Sequence, residues 1–273
     1  MTPPTICCDL DGVVWRGDQP IAGASDGIDQ LRASGLRVVF LTNNSAGRVA
    51  DNVARLSACG ITAPPDEVVS SAQAAAALLA SATPPGTRVL VCAGAGVVEA
   101  LESRGFAVVD EGPADAVVVG WHREFDFERL RRAADVVRSG ARFIATNADP
   151  TYPAAHGLLP GAGAIVAAVA TAGGRQPEVA GKPEAATVAL VRERFGRPVA
   201  MIGDRPTTDG AVAAALGCPF ALVLSGIVGS AGEESVPDPA PPYVAADLGA
   251  LAPQLIAAFS ARGAGGVQGS SGP

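Results

Sequence analysis

Residues 5–17, TICCDLDGVVWRG, place two carboxylates, Asp9 and Asp11, one residue apart at the end of a short apolar run. The run has the composition of a strand that is buried on both faces. Two like charges at this spacing repel each other, and a carboxylate that leaves water loses its hydration. We therefore expect such a pair where a cation balances the charge, at a metal site or a catalytic centre.

Composition restricts the class of protein and of partner. Of the 273 residues, 48% are hydrophobic, which is enough for a sizeable core in one large domain or two ordinary ones. The net charge of −7 disfavours general binding to nucleic acid or to an anionic membrane, because both require a basic surface. The N-terminus does not resemble a signal peptide, and no apolar run approaches the roughly 18 residues of a membrane span, so we expect a cytoplasmic protein. The five cysteines are scattered without CxxC spacing and do not predict a zinc site.

Short apolar runs alternate with helical patterns along the chain, which is typical of a parallel sheet covered by helices. The predicted strands are 6–10, 36–42, 88–93, 116–121, 142–147, 199–204 and 220–226. The predicted helices are 24–34, 47–59, 71–82, 97–104, 126–139, 162–172, 184–195, 208–216 and 249–261. The sequence therefore predicts an α/β protein.

Two proline-containing segments enclose a stretch with its own alternation of strands and helices, long enough for a separate module. We predict that residues 82–176, called the insert below, form an inserted α/β domain. Residues 1–81 and 177–262, called the core, would form the main domain. The tail at 263–273 is rich in Gly and Ser and is predicted to be disordered.

Polar side chains follow several of the predicted strands, where an open parallel sheet forms its ligand crevice. These residues are Asp9, Asp11, Thr42, Asn43, Lys182, Asp204 and Asp209. Carboxylates grouped in this way suit Mg²⁺, which prefers hard oxygen ligands and leaves positions for water or a phosphate oxygen. The set as a whole favours phosphoryl transfer, which depends mainly on positioning and charge neutralisation.

The two leading acids suit different roles in such a reaction. Asp9 ends the strand and is suited to act as a nucleophile that forms an aspartyl-phosphate. Asp11 lies beside Gly12, where the chain can turn, and is suited to protonate the leaving group and then deprotonate water. Lys182 and Thr42 would hold the other phosphate oxygens. Transfer to water makes a phosphatase, whereas transfer to an alcohol makes a phosphotransferase.

Four segments carry a resemblance to a known family. DLDGVVW (9–15), FLTNNS (40–45), AGKPE (180–184) and GDRPTTD (203–209) are similar, in order and spacing, to the four motifs of the haloacid dehalogenase-like hydrolases. The insert resembles the C2-type cap of the NagD and 4-nitrophenylphosphatase-like branch of subfamily IIA. The resemblance implies a Rossmann-like parallel-sheet core with an inserted α/β cap.

The resemblance also implies roles for individual residues. Asp9 matches the nucleophile and a metal ligand, and Asp11 matches the general acid/base, which binds the metal through its backbone carbonyl. Thr42 and Lys182 match the phosphate-binding pair, with Asn43 beside them. Asp204 matches the third protein ligand of Mg²⁺, and Asp209 matches a supporting carboxylate.

The segment NADPTYPAAHG matches the specificity loop of the cap, so Asn147, Asp149, Tyr152 and His156 are candidate substrate-specificity residues. Each of them could instead be a solvated loop residue or shape a turn. Trp15 is either a packing residue or a wall for the leaving group. Gly94 and Gly96 hint at a dinucleotide site, but Glu99 stands at the third glycine position, and a tight strand-to-helix turn is the better interpretation.

We therefore expect a Mg²⁺-dependent phosphatase for a small phosphorylated metabolite. The resemblance implies glycerol 3-phosphate, phosphoglycolate, pyridoxal phosphate or a nucleotide monophosphate as candidate substrates, and a homodimer formed through the cap. Two alternatives stay open: a phosphotransferase or mutase with the same nucleophile, and a non-catalytic domain that binds Mg²⁺ and phosphate.

Overall fold

The computed structural model of the protein describes residues 3–154, 157–228 and 234–260. His156 and the tail at 263–273 lie outside the described residues, so the predictions made for them are not tested. Across the described part of the chain, no helix has the length and apolar character that a membrane span requires.

The described residues form strands and helices in alternation. The strands are Thr5–Cys8 (β1), Trp15–Arg16 (β2), Gln19–Pro20 (β3), Arg37–Thr42 (β4), Val68–Ser70 (β5), Arg88–Cys92 (β6), Ala107–Val109 (β7), Ala116–Val119 (β8), Arg142–Ala145 (β9), Thr151–Ala154 (β10), Gly157–Pro160 (β11), Glu178–Val179 (β12), Ala200–Gly203 (β13), Phe220–Val223 (β14) and Tyr243–Ala245 (β15). The helices are Ala24–Ala33 (α1), Val49–Ala58 (α2), Ser71–Ala80 (α3), Ala95–Glu102 (α4), Phe127–Arg138 (α5), Ala162–Gly173 (α6), Ala185–Phe195 (α7), Ala211–Leu216 (α8) and Leu248–Phe259 (α9).

The core contains a parallel sheet with the strand order β15-β14-β13-β1-β4-β5. The two faces of β1 enter two different hydrophobic clusters. Cys7 packs with Val39 and Leu41 on one face, and Ile6 and Cys8 pack on the other. Because both faces of β1 are covered, its residues do not alternate between polar and apolar. This accounts for the continuous apolar run in the sequence.

The insert carries a second parallel sheet, in the order β12-β9-β8-β6-β7, and a separate β10–β11 hairpin. One face of this sheet packs against α5 and α6. The other face contributes Val89 and Val118 to the same hydrophobic cluster as helix α3 of the core. Strand β12 (Glu178–Val179) pairs with β9, so the second sheet extends past residue 176, where the sequence placed the end of the insert.

The segment after β4 also joins the two sheets. The Gly96 N–H donates to the Ala46 carbonyl at 3.0 Å, and Ser45 Oγ donates to Thr146 Oγ1 at 3.0 Å. A Cβ atom at Gly94 would lie 2.5 Å from the Ala46 carbonyl oxygen, so only glycine allows this approach. Glu99 accepts a hydrogen bond from the Val49 N–H at the start of α2. The interpretation of Gly94 and Gly96 as a tight strand-to-helix turn agrees with these contacts.

The seven predicted strands and nine predicted helices are all present, with small differences at their ends. The helix predicted at 208–216 begins as a turn of π-helix, Pro206–Gly210, and becomes α-helical at Ala211. The prediction missed the short edge strands β5, β7, β12 and β15 and the two hairpins. The missed edge strands have only two or three residues, which is too short for a recognisable pattern.

Helix α1 packs against α9 through Gly27, and this contact generates a test of the fold. A Cβ at Gly27 would lie 2.8 Å from the Leu248 carbonyl oxygen. Gly27→Ala should therefore destabilise the protein by about 1–3 kcal/mol, although alanine favours a helix by about 1 kcal/mol over glycine. Urea unfolding measures the change, with Asp29→Ala on the exposed side of α1 as the control. A Gly27→Ala protein as stable as the wild type would contradict this packing.

Candidate active site at the strand ends

The predicted core residues meet at the carboxyl end of the first sheet. Strands β13, β1 and β4 are adjacent in this sheet. Asp204 directly follows β13, Asp9 directly follows β1, and Thr42 is the last residue of β4. All three side chains are buried. Because parallel strands end at the same edge, residues far apart in sequence are brought together at one place.

Lys182 connects these acids through a buried ion network. Its Nζ lies 2.8 Å from Asp9 Oδ1 and 2.7 Å from Asp209 Oδ1, and it donates to the Leu41 carbonyl at 3.3 Å. The side chains of Lys182 and Asp209 are 3% and 0% exposed, so neither charge is solvated by bulk water. Three partners satisfy the three N–H donors of the ammonium group.

Asp9, Asp204 and Asp209 form a group of carboxylates suited to a cation. One oxygen from each lies within 4.8 Å of the others, and all three residues are buried. At an effective dielectric constant of about 20, two charges at that distance repel by about 3 kcal/mol. With Lys182, the ionised group carries two net negative charges, which a divalent cation balances. The donor set is all oxygen, as Mg²⁺ prefers.

Two glycines form a close-fitting cradle for Asp204. A Cβ atom at Gly12 or at Gly226 would overlap the Asp204 carboxylate, so any larger residue at either position would displace it. The Ile227 N–H donates to Asp204 Oδ2 at 2.7 Å. One oxygen of Asp204 is therefore held by the backbone, and the carboxylate is fixed in orientation.

The pKa values of the network reflect burial and mutual repulsion. Burial raises the pKa of Asp9 well above its usual range, and Lys182 offsets part of the shift, while Asp209 and Asp204 add to it. Burial, followed by the charge of Asp209, raises the pKa of Asp204 to about 7. Burial alone would lower the pKa of Lys182, but the carboxylates of Asp209 and Asp9 raise it above its ordinary value. A bound cation would lower the cost of ionising these acids.

Three side chains make hydrogen-bond contacts with Asp11. Trp15 Nε1 donates to Asp11 Oδ1 at 2.9 Å, and the Tyr152 hydroxyl donates to the same oxygen at 3.4 Å. Thr42 Oγ1 lies 3.5 Å from Asp11 Oδ2. Burial raises the pKa of Asp11, and the Trp15 hydrogen bond opposes that rise. A raised pKa favours the protonated form that a general acid requires.

Trp15 is a packing residue, not a wall of the cavity, and it also makes one polar contact. Its side chain is 1% exposed and belongs to a buried cluster. The Arg55 guanidinium lies 4.0 Å from the centre of the indole ring, and Arg55 also donates to the Gly17 carbonyl. Trp15 does not line the cavity described below, and its indole N–H orients Asp11.

Asn43 connects Lys182 to the insert. Its Oδ1 accepts from the Lys182 N–H at 2.7 Å, and its Nδ2 donates to the Lys182 carbonyl at 3.1 Å and to Asp149 Oδ2 at 3.0 Å. Both side-chain N–H groups are therefore used within the protein, and the predicted contact with phosphate stays a prediction. Asn147 donates to the Asn43 carbonyl at 2.7 Å and accepts from the Asp149 N–H, so it shapes the same junction.

A cavity lies between the core and the insert and reaches these side chains. Its lining residues are Asp9, Asp11, Asn43, Asn44, Trp121, Asn147, Asp149, Thr151, Tyr152, Gly161, Ala162, Lys182, Asp204, Arg205, Thr208 and Ile227. A volume of about 70 Å³ is open to the centres of water-sized molecules. This space is enough for several water molecules or for a small polar group.

The structure thus brings most of the predicted site together. Asp9, Asp204 and Asp209 form the carboxylate group, and Lys182 pairs with two of them. Of the four candidate specificity residues, Asn147, Asp149 and Tyr152 line the cavity, and His156 lies outside the described residues. Their roles stay predictions.

Sequence reasoning missed Trp121, Arg55, Gly226 and Arg205. Trp121, just after β8, and Arg205, in GDRPTTD, both line the cavity, yet the sequence assigned neither of them a role. No short-range pattern marks the contacts of Arg55 or Gly226.

Comparison with known proteins agrees with this geometry. Residues 6–107 match the family described as haloacid dehalogenase-like hydrolase, and residues 179–251 match a second family described as HAD-hydrolase-like. The D-glycerol 3-phosphate phosphatase of Mycobacterium tuberculosis is 43% identical over 250 residues, which cover 89% of this chain and 69% of that protein.

Two solved structures have the same overall fold. The glycerol phosphate phosphatase from Mycobacterium tuberculosis in complex with magnesium superimposes with a TM-score of 0.82 and 37% identity, covering 92% of this chain and 76% of that one. The 4-nitrophenylphosphatase from Thermotoga maritima superimposes with a TM-score of 0.81 and 31% identity, covering 92% and 97%.

The cluster formed by Asp9, Asp204 and Asp209 predicts that Mg²⁺ and pH together affect the stability of the folded protein. The pKa of Asp204 is raised to about 7 in the folded protein, above its unfolded value of about 4. Such a group contributes stability that is fully present below the unfolded pKa and is lost as the pH rises through the folded pKa. Mg²⁺ should therefore raise the unfolding temperature more at about pH 7.5 than at about pH 5.5.

Thermal unfolding with Mg²⁺ and with a chelator, at the two pH values, measures this effect. Asp204→Asn cannot ionise and is the matched control, so its unfolding temperature should respond less to Mg²⁺ and less to pH. Equal stabilisation by Mg²⁺ at both pH values in the wild type would contradict the assignment of the carboxylate group.

Proposed function

This chain belongs to the haloacid dehalogenase-like hydrolases and is a phosphatase of that family, and we propose that it hydrolyses glycerol phosphate or a similarly small phosphomonoester through an aspartyl-phosphate on Asp9. Its cofactor is Mg²⁺, the ion present in the similar glycerol phosphate phosphatase structure. The proposal concerns the substrate, the intermediate and the roles of the residues.

The ion network around Asp9 is the observation that carries the proposal. Asp9 directly follows a buried strand, its carboxylate is held 2.8 Å from Lys182 Nζ, and it lines the cavity together with Asp11. A nucleophile must be held rigidly with one oxygen directed at the substrate. The same ammonium group would attract the phosphate oxygens and hold phosphorus beside Asp9.

In the first half of the proposed reaction, a carboxylate oxygen of Asp9 attacks phosphorus. The bond between phosphorus and the ester oxygen breaks, and the electron pair leaves with that oxygen. The protonated carboxyl of Asp11 donates its proton to the leaving oxygen, which departs as an alcohol. The hydrogen bond from Trp15 Nε1 to Asp11 Oδ1 orients the acid for this step.

In the second half, Asp11 is a carboxylate and accepts a proton from a water molecule. The water oxygen attacks phosphorus, the bond to Asp9 breaks, and inorganic phosphate is released with the Asp9 carboxylate restored. Thr42, which lies 3.5 Å from Asp11 through its hydroxyl, would orient the phosphate group with Lys182.

Asp9 and Asp204 would hold Mg²⁺, together with the backbone carbonyl of Asp11 that the family resemblance implies. When bound, the ion neutralises negative charge on the carboxylates and on the phosphate oxygens. Asp209 remains tied to Lys182 and to the Arg205 N–H, and it would keep the lysine in place.

The size of the cavity and the similar proteins support a small substrate. The cavity has room for a phosphate-sized group, and the M. tuberculosis relative is named for D-glycerol 3-phosphate. We also propose that the protein is cytoplasmic, that it forms a homodimer through the insert, and that residues 82–176 form a cap that closes over the cavity. The five cysteines form no disulfide among the described residues, which suits a reducing compartment.

Removal of the nucleophile is the first test. Asp9→Asn should lower kcat for 4-nitrophenyl phosphate by about 10³-fold or more, because the amide cannot form the phosphoenzyme. Exposed Asp18→Asn changes the same charge in the same segment and should keep wild-type turnover. Hydrolysis by Asp9→Asn at a rate close to that of the wild type would rule out Asp9 as nucleophile.

The substrate is tested with a panel of phosphomonoesters, read as kcat/KM in the presence of Mg²⁺. Glycerol 3-phosphate and phosphoglycolate should exceed hexose 6-phosphates and nucleotide monophosphates by about tenfold or more, because Trp121 and Tyr152 line the cavity and would restrict the space beside Asp11. A flat profile would indicate a general phosphatase instead. Faster transfer to an added alcohol than to water would favour a phosphotransferase.

A further inference from the structure

Trp121, which no motif assigned to the site, lies on the wall of the cavity that the insert provides. It follows β8 and lines the cavity with Tyr152 and Ala162. Its indole N–H donates to the Pro160 carbonyl at 2.9 Å, at the end of the β10–β11 hairpin. The hydrogen bond fixes the orientation of the ring relative to that hairpin.

The ring of Trp121 also supports Tyr152. Their ring centres are 5.4 Å apart at an angle of 32°. The hydroxyl of Tyr152 points to Asp11 Oδ1 at 3.4 Å, the residue proposed to protonate the leaving group. The leaving group must therefore lie next to Asp11, on the side of the cavity where Tyr152 and Trp121 stand.

Trp121 does not behave as a core residue. It is half-buried, and none of the hydrophobic clusters formed by the described residues includes it. The Arg123 guanidinium lies 5.7 Å from its ring centre. A large ring that is held in place but contributes to no core suits a surface that contacts a ligand.

The buried ion network and the two aromatic rings of the cavity come from different parts of the chain. The core supplies Asp9, Lys182 and Asp204, which suit a phosphate and a cation. The insert supplies Trp121 and Tyr152, whose rings offer apolar faces to the C–H groups of a short carbon chain. The phosphate and the leaving group therefore meet separate sets of residues.

We propose that Trp121 is a specificity-determining residue, and that it forms with Tyr152 the wall that limits the leaving group to a short polyol or hydroxy acid. The inference rests on the phosphatase activity proposed above and deepens it. Removing the indole opens space at the leaving-group end and leaves the ion network of the core unchanged.

The test compares Trp121→Ala with Trp121→Phe. For the wild type and both variants, kcat/KM is measured for glycerol 3-phosphate and for glucose 6-phosphate. The readout is the first value divided by the second. Trp121→Ala should lower this ratio by about tenfold or more, because a wall residue discriminates by size. Trp121→Phe keeps a ring but loses the hydrogen bond to Pro160, and its ratio should stay within about threefold of the wild type.

Two controls distinguish the loss of size discrimination from a general loss of binding or activity. The inhibition constant of inorganic phosphate should be the same in Trp121→Ala as in the wild type, because phosphate binds to the core residues. Tyr152→Phe removes only the hydroxyl that reaches Asp11, so kcat should fall for both substrates while their ratio is kept. An unchanged ratio in Trp121→Ala, or a phosphate inhibition constant that weakens in parallel, overturns the proposal.

A binding measurement distinguishes failure of this inference from failure of the proposed function. The chain has two tryptophans, so Trp15→Phe leaves Trp121 as the single indole fluorophore, and Asp9→Asn in the same protein prevents turnover. Glycerol 3-phosphate should change the Trp121 emission more than inorganic phosphate does. Equal responses overturn the proposed wall. A selective response, combined with no hydrolysis of glycerol 3-phosphate by the wild type, supports the wall and overturns the proposed substrate.

Discussion

The buried ammonium group of Lys182 is the interaction on which the site depends. It holds Asp9 after β1, Asp209 in the turn after β13, and the Leu41 carbonyl in β4, so three neighbouring strands are joined by one cation. A buried charge that loses its partner costs about 3–5 kcal/mol, so each member keeps the others in place. With all three acids ionised, the network carries two excess negative charges, which a divalent cation would balance.

The same lysine is tied to the insert through Asn43. That side chain holds the backbone of Lys182 on both its N–H and its carbonyl, and its remaining donor reaches Asp149. The segment that follows Asn43 contacts the insert again, through the Gly96 N–H bond to Ala46. The buried ion network and the insert therefore contact the same loop, and a change in the position of the insert would alter the contacts of Lys182.

The sequence predicted the part of the site that lies at the ends of long strands. Asp9, Thr42 and Asp204 each end or follow an apolar run, and the parallel topology brings such positions together. It did not predict contacts that depend on short elements or on distant partners. Trp15 reaches Asp11 from the two-residue strand β2, and Trp121 meets Tyr152 across about 30 residues of chain. Strands such as β5 and β15 exist because a longer neighbour pairs with them, and no local pattern records that.

Asp11 shows why chemistry and selectivity can be separated in this fold. Its Oδ1 accepts a 2.9 Å hydrogen bond from Trp15 of the core and a 3.4 Å one from Tyr152 of the insert. The shorter bond comes from a fully buried indole, so the acid is oriented by the core and only approached by the insert. Substituting a residue of the insert wall leaves every buried ion paired, whereas substituting one beside Lys182 leaves a charge buried without its partner. The free-energy cost of a substitution is therefore lower at the proposed leaving-group wall and higher at the proposed reaction centre.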